Sequence, residues 1–587
     1  MTKTKKLINA PEDIIPQLVS GMVAAHPDLL SVEGDSGRAI VAVDGPRDGK
    51  VGVVVGGGSG HEPAFAGYVG RGLADAAAVG NIFASPSPEQ ILDAARAVDC
   101  GAGILFLYGN YTGDVMNFTM AAEELEAAGT AVQQVQVADD IASAPVERRD
   151  ERRGIAGDFF VFKIAGAAAD LGEPLSRVAA LAQKANLATF SMGVALGACS
   201  LPQTGKPNFE IGDDEMEIGM GLHGEPGIRR EKLASADSVT DELMDTILGE
   251  MAPKPGDRVA VLVNGLGSTS QVELYIIFNR LKQILDAREI TIHRSWVGEY
   301  ATSLEMAGAS ITLIRLDDEL TTLLDHPCRS VALTVGAVET GSTADVRSSR
   351  KTAASTNAPQ ASPSAPVALN ESGLITPTIF RRMMQHAGDQ IITERDWLSE
   401  LDGVIGDGDH GVTMEIGWKA VQAALNNAPA EETIEGSCKR MAKAFLDAVG
   451  ASSGPLYATA FLRAGAAVSD RRNLGPNALA LWLAAALQGI RDRGRAEAGD
   501  KTMIDAWVPA VEAAQEAAAS GSELAVLQAA RDGAEAGMKA TADLESRRGR
   551  SAKLGARSRG HIDPGAASTY VILRAMAAAM EQEAAAQ

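Results

Sequence analysis

The sequence predicts an α/β N-terminal half built as two α/β lobes, a flexible linker, and an all-helical C-terminal half. Three observations carry that prediction. Up to about residue 337, short β-branched or apolar runs alternate with helical stretches, the pattern of an α/β domain. From Val338 to about Gly373 periodicity disappears into a stretch rich in Ser, Thr, Ala and Pro. Beyond residue 374, long Ala- and Leu-rich stretches follow one another with few β-branched runs between them.

Taken in order, VGVVV at 51–55, GILFLY at 103–108, VQQVQV at 132–137 and VAVLVN at 259–264 read as buried strands. New strand signals open near Phe190, so the first half divides into lobes at about 1–189 and 190–337. Residues 338–373 cannot bury enough apolar surface to order themselves and read as the linker. In residues 374–587 the helical stretches include Trp418–Ala424, Asn477–Ile490, Met503–Ala519 and Thr569–Ala585, a helical bundle or barrel. Gly- and Asp-rich interruptions bring the polar residues of this half to helix ends.

A chain of 587 residues is too long for one core, which agrees with this division. Its formal charge of −23 argues against nonspecific binding to nucleic acid or to anionic lipid, because both would repel it. Cys100, Cys199, Cys328 and Cys438 are far apart and form no CxxC pair, so they read as reduced, buried thiols. The opening MTKTKKLINAPEDII has no apolar core after its lysines, and no run of eighteen apolar residues occurs. Neither secretion nor membrane spanning is supported, and a cytoplasmic location is expected.

In the first half, VGVVVGGGSGHEP from Val51 to Pro63 runs from a strand into consecutive glycines, including Gly58 and Gly60 around Ser59, and ends on His61. Glycine lets backbone approach a ligand closely, but GGGSG is also what a tight turn contains. GILFLYGNYTGDVMNF likewise ends in a polar loop carrying Gly109, Asn110, Tyr111, Thr112 and Asp114. Two neighbouring strand ends offering His61 and Asp114 are the usual place for a site in an α/β sheet. GLHGEPGI places His223 in a turn that should expose it. Such an imidazole is either idle or a nucleophile toward a carbonyl. NGLGSTSQVEL and WVGEYATSLEMAG read as strand-to-loop elements that shape the second lobe.

In the second half, LDGVIGDGDHGVTM crowds Asp402, Asp407 and Asp409 around a glycine-rich turn. The spacing suits either a solvated turn or a magnesium site that leaves positions open for phosphates; EF-hand ligand alternation is missing. GASSGP at Gly450–Pro455 offers small residues and backbone N–H groups at a helix entrance. GDKTMIDAW and GRSAKLGARSRGHIDPGAAS add loops with Asp500, Thr502, Arg550, His561 and Asp563, some of which read as helix caps. No GxxxxGK[ST] and no protein-kinase motif set occurs.

Together GGGSGHEP, NYTGDVMNF, HGEPG, NGLG, GDGDHG, GASSGP, GDKTM and GHIDPGA, in that order, resemble the dihydroxyacetone kinase family over both halves of the chain. The resemblance implies an ATP-dependent kinase of a short ketose, held in the first half by Gly58, Ser59, Gly60, His61, Gly109, Asp114 and His223. It implies that His223 forms a covalent hemiaminal with the ketone and that His61 and Asp114 hold and deprotonate the attacking hydroxyl. Asp402, Asp407 and Asp409 match ligands of two magnesium ions; His410, Thr413, Gly450, Ser452, Ser453, Thr502, Met503, Arg550, Asp563 and Gly565 match nucleotide-facing positions. It further implies a homodimer. Two rivals within the resemblance are a phosphorelay-fed component and an inactive ligand-binding relative; flavin-nucleotide cyclisation is a side activity of the same nucleotide half. One departure concerns the substrate: Gly109 stands where the family's dihydroxyacetone enzymes carry Lys, which leaves room for a four-carbon ketose such as erythrulose.

Overall fold

The computed structural model describes residues 5–337, 373–406, 408–519 and 521–586. The stretch expected as a linker, except Gly373, lies outside the described residues, and so does Asp407. The chain divides into two compact units, Met1–Ala354 and Ser355–Gln587.

The first unit carries two six-stranded sheets. Its strands are β1 Leu30–Glu33, β2 Ala39–Ala42, β3 Gly52–Ser59, β4 Gly70–Arg71, β5 Ala76–Ile82, β6 Ile104–Gly109, β7 Val132–Val137, β8 Thr189–Gly197, β9 Glu215–Ile218, β10 Arg229–Lys232, β11 Arg258–Gly265, β12 Thr291–Gly298, β13 Ala307–Leu316, β14 Cys328–Ser330 and β15 Thr334–Val335. The first sheet has the order β1-β2-β5-β3-β6-β7, and its β5, β3, β6 and β7 run parallel. A parallel strand covered on both faces has no solvent side, which is why VGVVV reads as a continuous apolar run and why every residue of β3 is buried. The second sheet, β10-β9-β8-β13-β11-β12, is antiparallel except where β12 joins β11. Asp140 just beyond β7 bridges to Ser191 of β8, so the lobes join along a short backbone seam. At that junction a small apolar cluster that includes Phe83, Met220, Leu222, Leu266 and Met306 excludes water.

The second unit is helical, with helices Pro377–Thr393, Arg395–Ile405, His410–Asn426, Ile434–Ala448, Ser453–Ala467, Pro476–Gly494, Ile504–Ala518, Glu523–Ala540 and Pro564–Ala586. Trp418, Phe445, Phe380 and Leu479 stand fully buried in one core fed by all of the longer helices. Thr376, Thr433 and Ser522 cap helix starts by accepting N–H bonds, which sets where those helices begin. Among the described residues no helix is long and apolar enough to cross a membrane. All four cysteines are free; Cys199, Cys328 and Cys438 are buried, but Cys100 is half-exposed just past a helix end, where the expectation of burial fails.

Candidate active site

The end of β3 is where backbone is crowded most closely. A side chain at Gly58 would place its Cβ 2.7 Å from the Ala84 nitrogen, so only glycine fits. Ser59 donates to the Gly80 carbonyl at 2.8 Å and ties the strand end to its neighbour. Gly60 has φ +99°, and its N–H donates to the Glu62 carboxylate at 2.9 Å, which turns the chain so that His61 points toward the second lobe. There the loop after β12 takes hold of it. His61 Nδ1 lies 2.8 Å from the Thr302 carbonyl, Thr302 N–H donates to the His61 carbonyl at 3.2 Å, and Leu304 N–H donates to the Gly60 carbonyl at 2.7 Å. Phe83 stacks on the imidazole at 5.0 Å. Burial, then the neighbouring His223, pull the His61 pKa down to about 3, so the ring is neutral at physiological pH.

His223 lies in the loop between β9 and β10. Its sequence setting predicts exposure, yet it is 7% exposed. The reason is that the turn folds inward: Ser303 Oγ donates to the Leu222 carbonyl, Asn208 Nδ2 donates to the His223 carbonyl at 2.8 Å, and the His223 N–H donates to Glu225 Oε2 at 3.0 Å. The ring presents Nδ1 to Glu225 Oε1 at 3.2 Å and Nε2 to His61 Nε2 at 3.1 Å. Tyr111 meets it edge-on at 4.8 Å and Phe83 at 5.2 Å. Two imidazoles from separate lobes are thereby brought together edge-on, with ring planes 82° apart, across 162 residues of sequence.

Asp114 occupies the first turn of the helix Thr112–Ala127, immediately after β6, and accepts from Ser85 Oγ at 2.7 Å. The helix N-terminus favours its negative charge. Because β3 and β6 are hydrogen-bonded neighbours, His61 and Asp114 emerge from the same edge of the sheet. Gly109 closes β6; a Cβ there would meet the Tyr111 ring at 3.3 Å. The Tyr111 hydroxyl is buried and makes no hydrogen bond among the described residues, and burial pushes its pKa well up, so it remains a donor. Thr302, Ser303, Tyr111, Phe83, Ser85 and Asn208 were not legible as site residues. The motif NYTGD did contain Tyr111, but nothing local says that its ring turns toward His223.

In the second unit, Asp402 lies near the end of the helix Arg395–Ile405 and Asp409 sits before the helix His410–Asn426. Asp402 Oδ2 accepts from the backbone N–H groups of Asp409 at 3.0 Å and His410 at 3.1 Å. Burial and the adjacent Asp402 carboxylate raise the Asp409 pKa. His410, lowered by burial, reaches Ser568 Oγ at 3.0 Å, and Tyr457 reaches the same hydroxyl at 3.4 Å. Asp563 caps the helix Pro564–Ala586 through the Ala566 N–H at 2.7 Å; burial lifts it to about 7. A Cβ on Gly565 would stand 3.1 Å from Asp563 Oδ2 and 3.4 Å from Met503 Cβ, so these three lie together. Beneath them Lys501, fully buried, donates to the Thr541 and His561 carbonyls at 2.6 and 2.5 Å, a clamp on two loops that the sequence did not single out.

Thr413 donates its N–H to the Asp409 carbonyl at 2.9 Å in the first turn of its helix. Thr502 N–H is held by Asp505 at 2.8 Å, while Gly450, Ser452 and Ser453 stand at the entrance of the helix Ser453–Ala467. Arg550 opens a short 3₁₀ segment; its side chain lies outside the described residues. Among the described residues no three His, Cys, Asp or Glu side chains gather closely enough to hold a metal. Asp402 and Asp409 still form an all-oxygen donor pair of the kind magnesium takes, and the rise at Asp409, from burial first and from the neighbouring Asp402 carboxylate second, marks a site where a cation would favour the charged form.

Comparison with known proteins agrees with this division. The Dak1 domain matches residues 20–332 and the DAK2 domain residues 404–578. The chain is 39% identical to an L-erythrulose 1-kinase of Mycolicibacterium smegmatis, over 97% of this chain and 98% of that one. It is 38% identical to a D-erythrulose kinase of the same organism, again over 97% and 98%. Among solved structures it is similar to the dihydroxyacetone kinase from C. freundii in complex with AMP-PNP and Mg2+. That match has a TM-score of 0.52 and 30% identity, covering 98% of this chain and 99% of that one.

Proposed function

The chain belongs to the dihydroxyacetone kinase family as an ATP-dependent ketose kinase, and we propose that it phosphorylates a primary hydroxyl of erythrulose in preference to dihydroxyacetone. The substrate is captured as a hemiaminal on His223. The observation that carries this reading is the contact between His61 and His223 at 3.1 Å, which joins a buried nucleophile to a buried base between the lobes. The nitrogen that faces His61 is Nε2, so Nε2 attacks the ketone carbon and anchors the sugar. A polyol has no carbonyl to capture, which separates ketoses from glycerol. Asp114, with His61 beside it, takes the proton from the primary hydroxyl as that oxygen attacks the γ-phosphate.

Gly58, Ser59, Gly60 and Gly109 shape the walls of this site. The buried Tyr111 hydroxyl supports the four-carbon preference, since an extra hydroxymethyl group brings an acceptor to a donor with no partner among the described residues. Relatives named for both erythrulose enantiomers leave the hand of the sugar to experiment.

Asp402 and Asp409, with Asp407, would hold two magnesium ions, and His410, Thr413, Gly450, Ser452, Ser453, Thr502, Met503, Arg550, Asp563 and Gly565 would surround ATP. Magnesium, when bound, neutralises negative charge on the phosphate oxygens. Transfer requires the γ-phosphate to reach the sugar, within one chain or across a homodimer, and residues 338–373 serve as the linker that allows it. A cytoplasmic location, where ATP is supplied, goes with this reading.

The reading is tested by following ADP release with Mg-ATP and no phosphocarrier protein, over L-erythrulose, D-erythrulose, dihydroxyacetone and glycerol. One erythrulose enantiomer should give the highest kcat/KM and glycerol none. A clear preference for dihydroxyacetone contradicts the four-carbon reading, and no turnover without a phosphocarrier contradicts the ATP reading.

A further inference from the structure

We propose that Glu225, backed by Arg153 and Asp140, is a positioning residue that fixes the reactive tautomer of His223 and offsets the charge its ring acquires in the sugar adduct. The proposal rests on the hemiaminal reading above. Three contacts run in line: the Thr302 carbonyl to His61 Nδ1, His61 Nε2 to His223 Nε2, and His223 Nδ1 to Glu225 Oε1, at 2.8, 3.1 and 3.2 Å. A carbonyl and a carboxylate only accept, so both Nδ1 atoms must carry hydrogen. Both Nε2 atoms are then left with their lone pairs, so the third proton between them is held mainly by His223, His61 being neutral, and must leave as Nε2 attacks. Without Glu225 the proton of a neutral His223 is free to move to Nε2, where it quenches the nucleophile.

The carboxylate is itself built in. Glu225 Oε2 accepts the N–H of His223, so a single side chain holds both the ring and the backbone of the nucleophile. The Arg153 guanidinium lies 3.7 Å from that oxygen and also pairs with Asp140 at 2.7 Å; all three residues are at most 3% exposed. A Cβ on Gly221 would fall 2.2 Å from Glu225 Oε2 and 2.3 Å from Arg153 Nη1, so the sequence keeps glycine where this pair needs the space. The two carboxylates and the guanidinium sum to one negative charge beside His223.

Capture then balances. The Nε2 lone pair forms the N–C bond, the carbonyl π pair moves to oxygen, and the bridging proton leaves the histidine pair to make that oxygen a hydroxyl. His223 ends alkylated at Nε2 and protonated at Nδ1, a cation held against Glu225. The positive charge of the pair is conserved, moving wholly onto the ring that faces the carboxylate.

The test uses the full chain and a ketose labelled with 13C at the carbonyl. Wild type should convert the carbonyl signal to a tetrahedral carbon. Glu225→Gln should lower the adduct population and raise KM on the order of 10- to 100-fold with a much smaller change in kcat, and Glu225→Asp should recover part of the loss. Adduct and KM unchanged in Glu225→Gln overturn the proposal. A second measurement needs no folded variant at position 225: 15N NMR of wild-type histidines, with His223 assigned by its loss in His223→Gln, should find hydrogen on Nδ1. A neutral ring protonated at Nε2 alone overturns the tautomer assignment. Absence of a tetrahedral carbon in wild type instead overturns the capture reading, and the charge-offset role falls with it.

Discussion

The two units build their sites by opposite means. In the first, His61 and His223 come from different lobes and are fixed by hydrogen bonds to Thr302 and Asn208, 241 and 15 residues away, and by the nearby Glu225, behind a wall of Phe83 and Tyr111. In the second, Asp402 and Asp409 flank one short turn, and the Asp402 carboxylate accepts from backbone N–H groups seven and eight residues away. The proposed ketose site is therefore set by tertiary packing, with its burial compensated by paired charges. The proposed nucleotide site is set by local chain geometry and gathers negative charge that bound ligands would balance. Mutations should sort accordingly: packing changes should damage the first unit, and charge changes should act on nucleotide affinity in the second.

The largest effect should come from Asp114→Asn, which removes the proposed base but keeps the hydrogen bond to Ser85 possible. Steady-state kinetics should show kcat lower by about 10²–10⁴-fold, while ATP affinity by calorimetry is unchanged. Loss of ATP affinity would break the separation. Next, Gly221→Ala forces a Cβ into the Arg153–Glu225 pair and should cost the first unit about 1–3 kcal/mol. In differential scanning calorimetry the transition of the first unit should fall while that of the second stays; joint movement would mean that the units unfold as one.

Gly109→Lys should sharpen the substrate side of the comparison. The new side chain starts in tight contact with the Tyr111 ring and fills the space beside it, and kcat/KM for erythrulose relative to dihydroxyacetone should drop by about tenfold, about 1.4 kcal/mol. The smallest effect is on pH. His61 is held with its pKa below the ordinary 6.5, so the unfolded chain binds more protons than the native one between about 3 and 6.5. The stability this residue contributes is present above that window and lost as pH falls through it. The melting temperature of the first unit should decline from pH about 7 to about 5, and His61→Asn should flatten the slope.

Much of the fold was legible because strands buried on both faces must be continuous apolar runs and helix starts carry their own caps. Glycine turns likewise announced His61, Asp114 and the acidic loop, since a chain that bends sharply beside a ligand needs those residues in sequence. What was not legible acts across distance. Thr302 uses only its backbone on His61, Arg153 sits in an ordinary-looking ERRDERRG run, and Glu225 becomes informative only once the loop folds its carboxylate beneath its own histidine. His223 looked exposed for the same reason: the bonds from Ser303 and Asn208 that bury its turn arrive from 81 and 15 residues away. Lys501 holds two loops through their carbonyls, a role that leaves no pattern in GDKTM.

The central claim is that ketose capture belongs to the first unit and nucleotide binding to the second. It is tested most directly with full-length Asp402→Ala, by titrating Mg-ATP in a calorimeter and following the 13C-labelled ketose by NMR in the same preparation. Mg-ATP binding should be lost while the ketose adduct forms as in wild type. Loss of both together would contradict it.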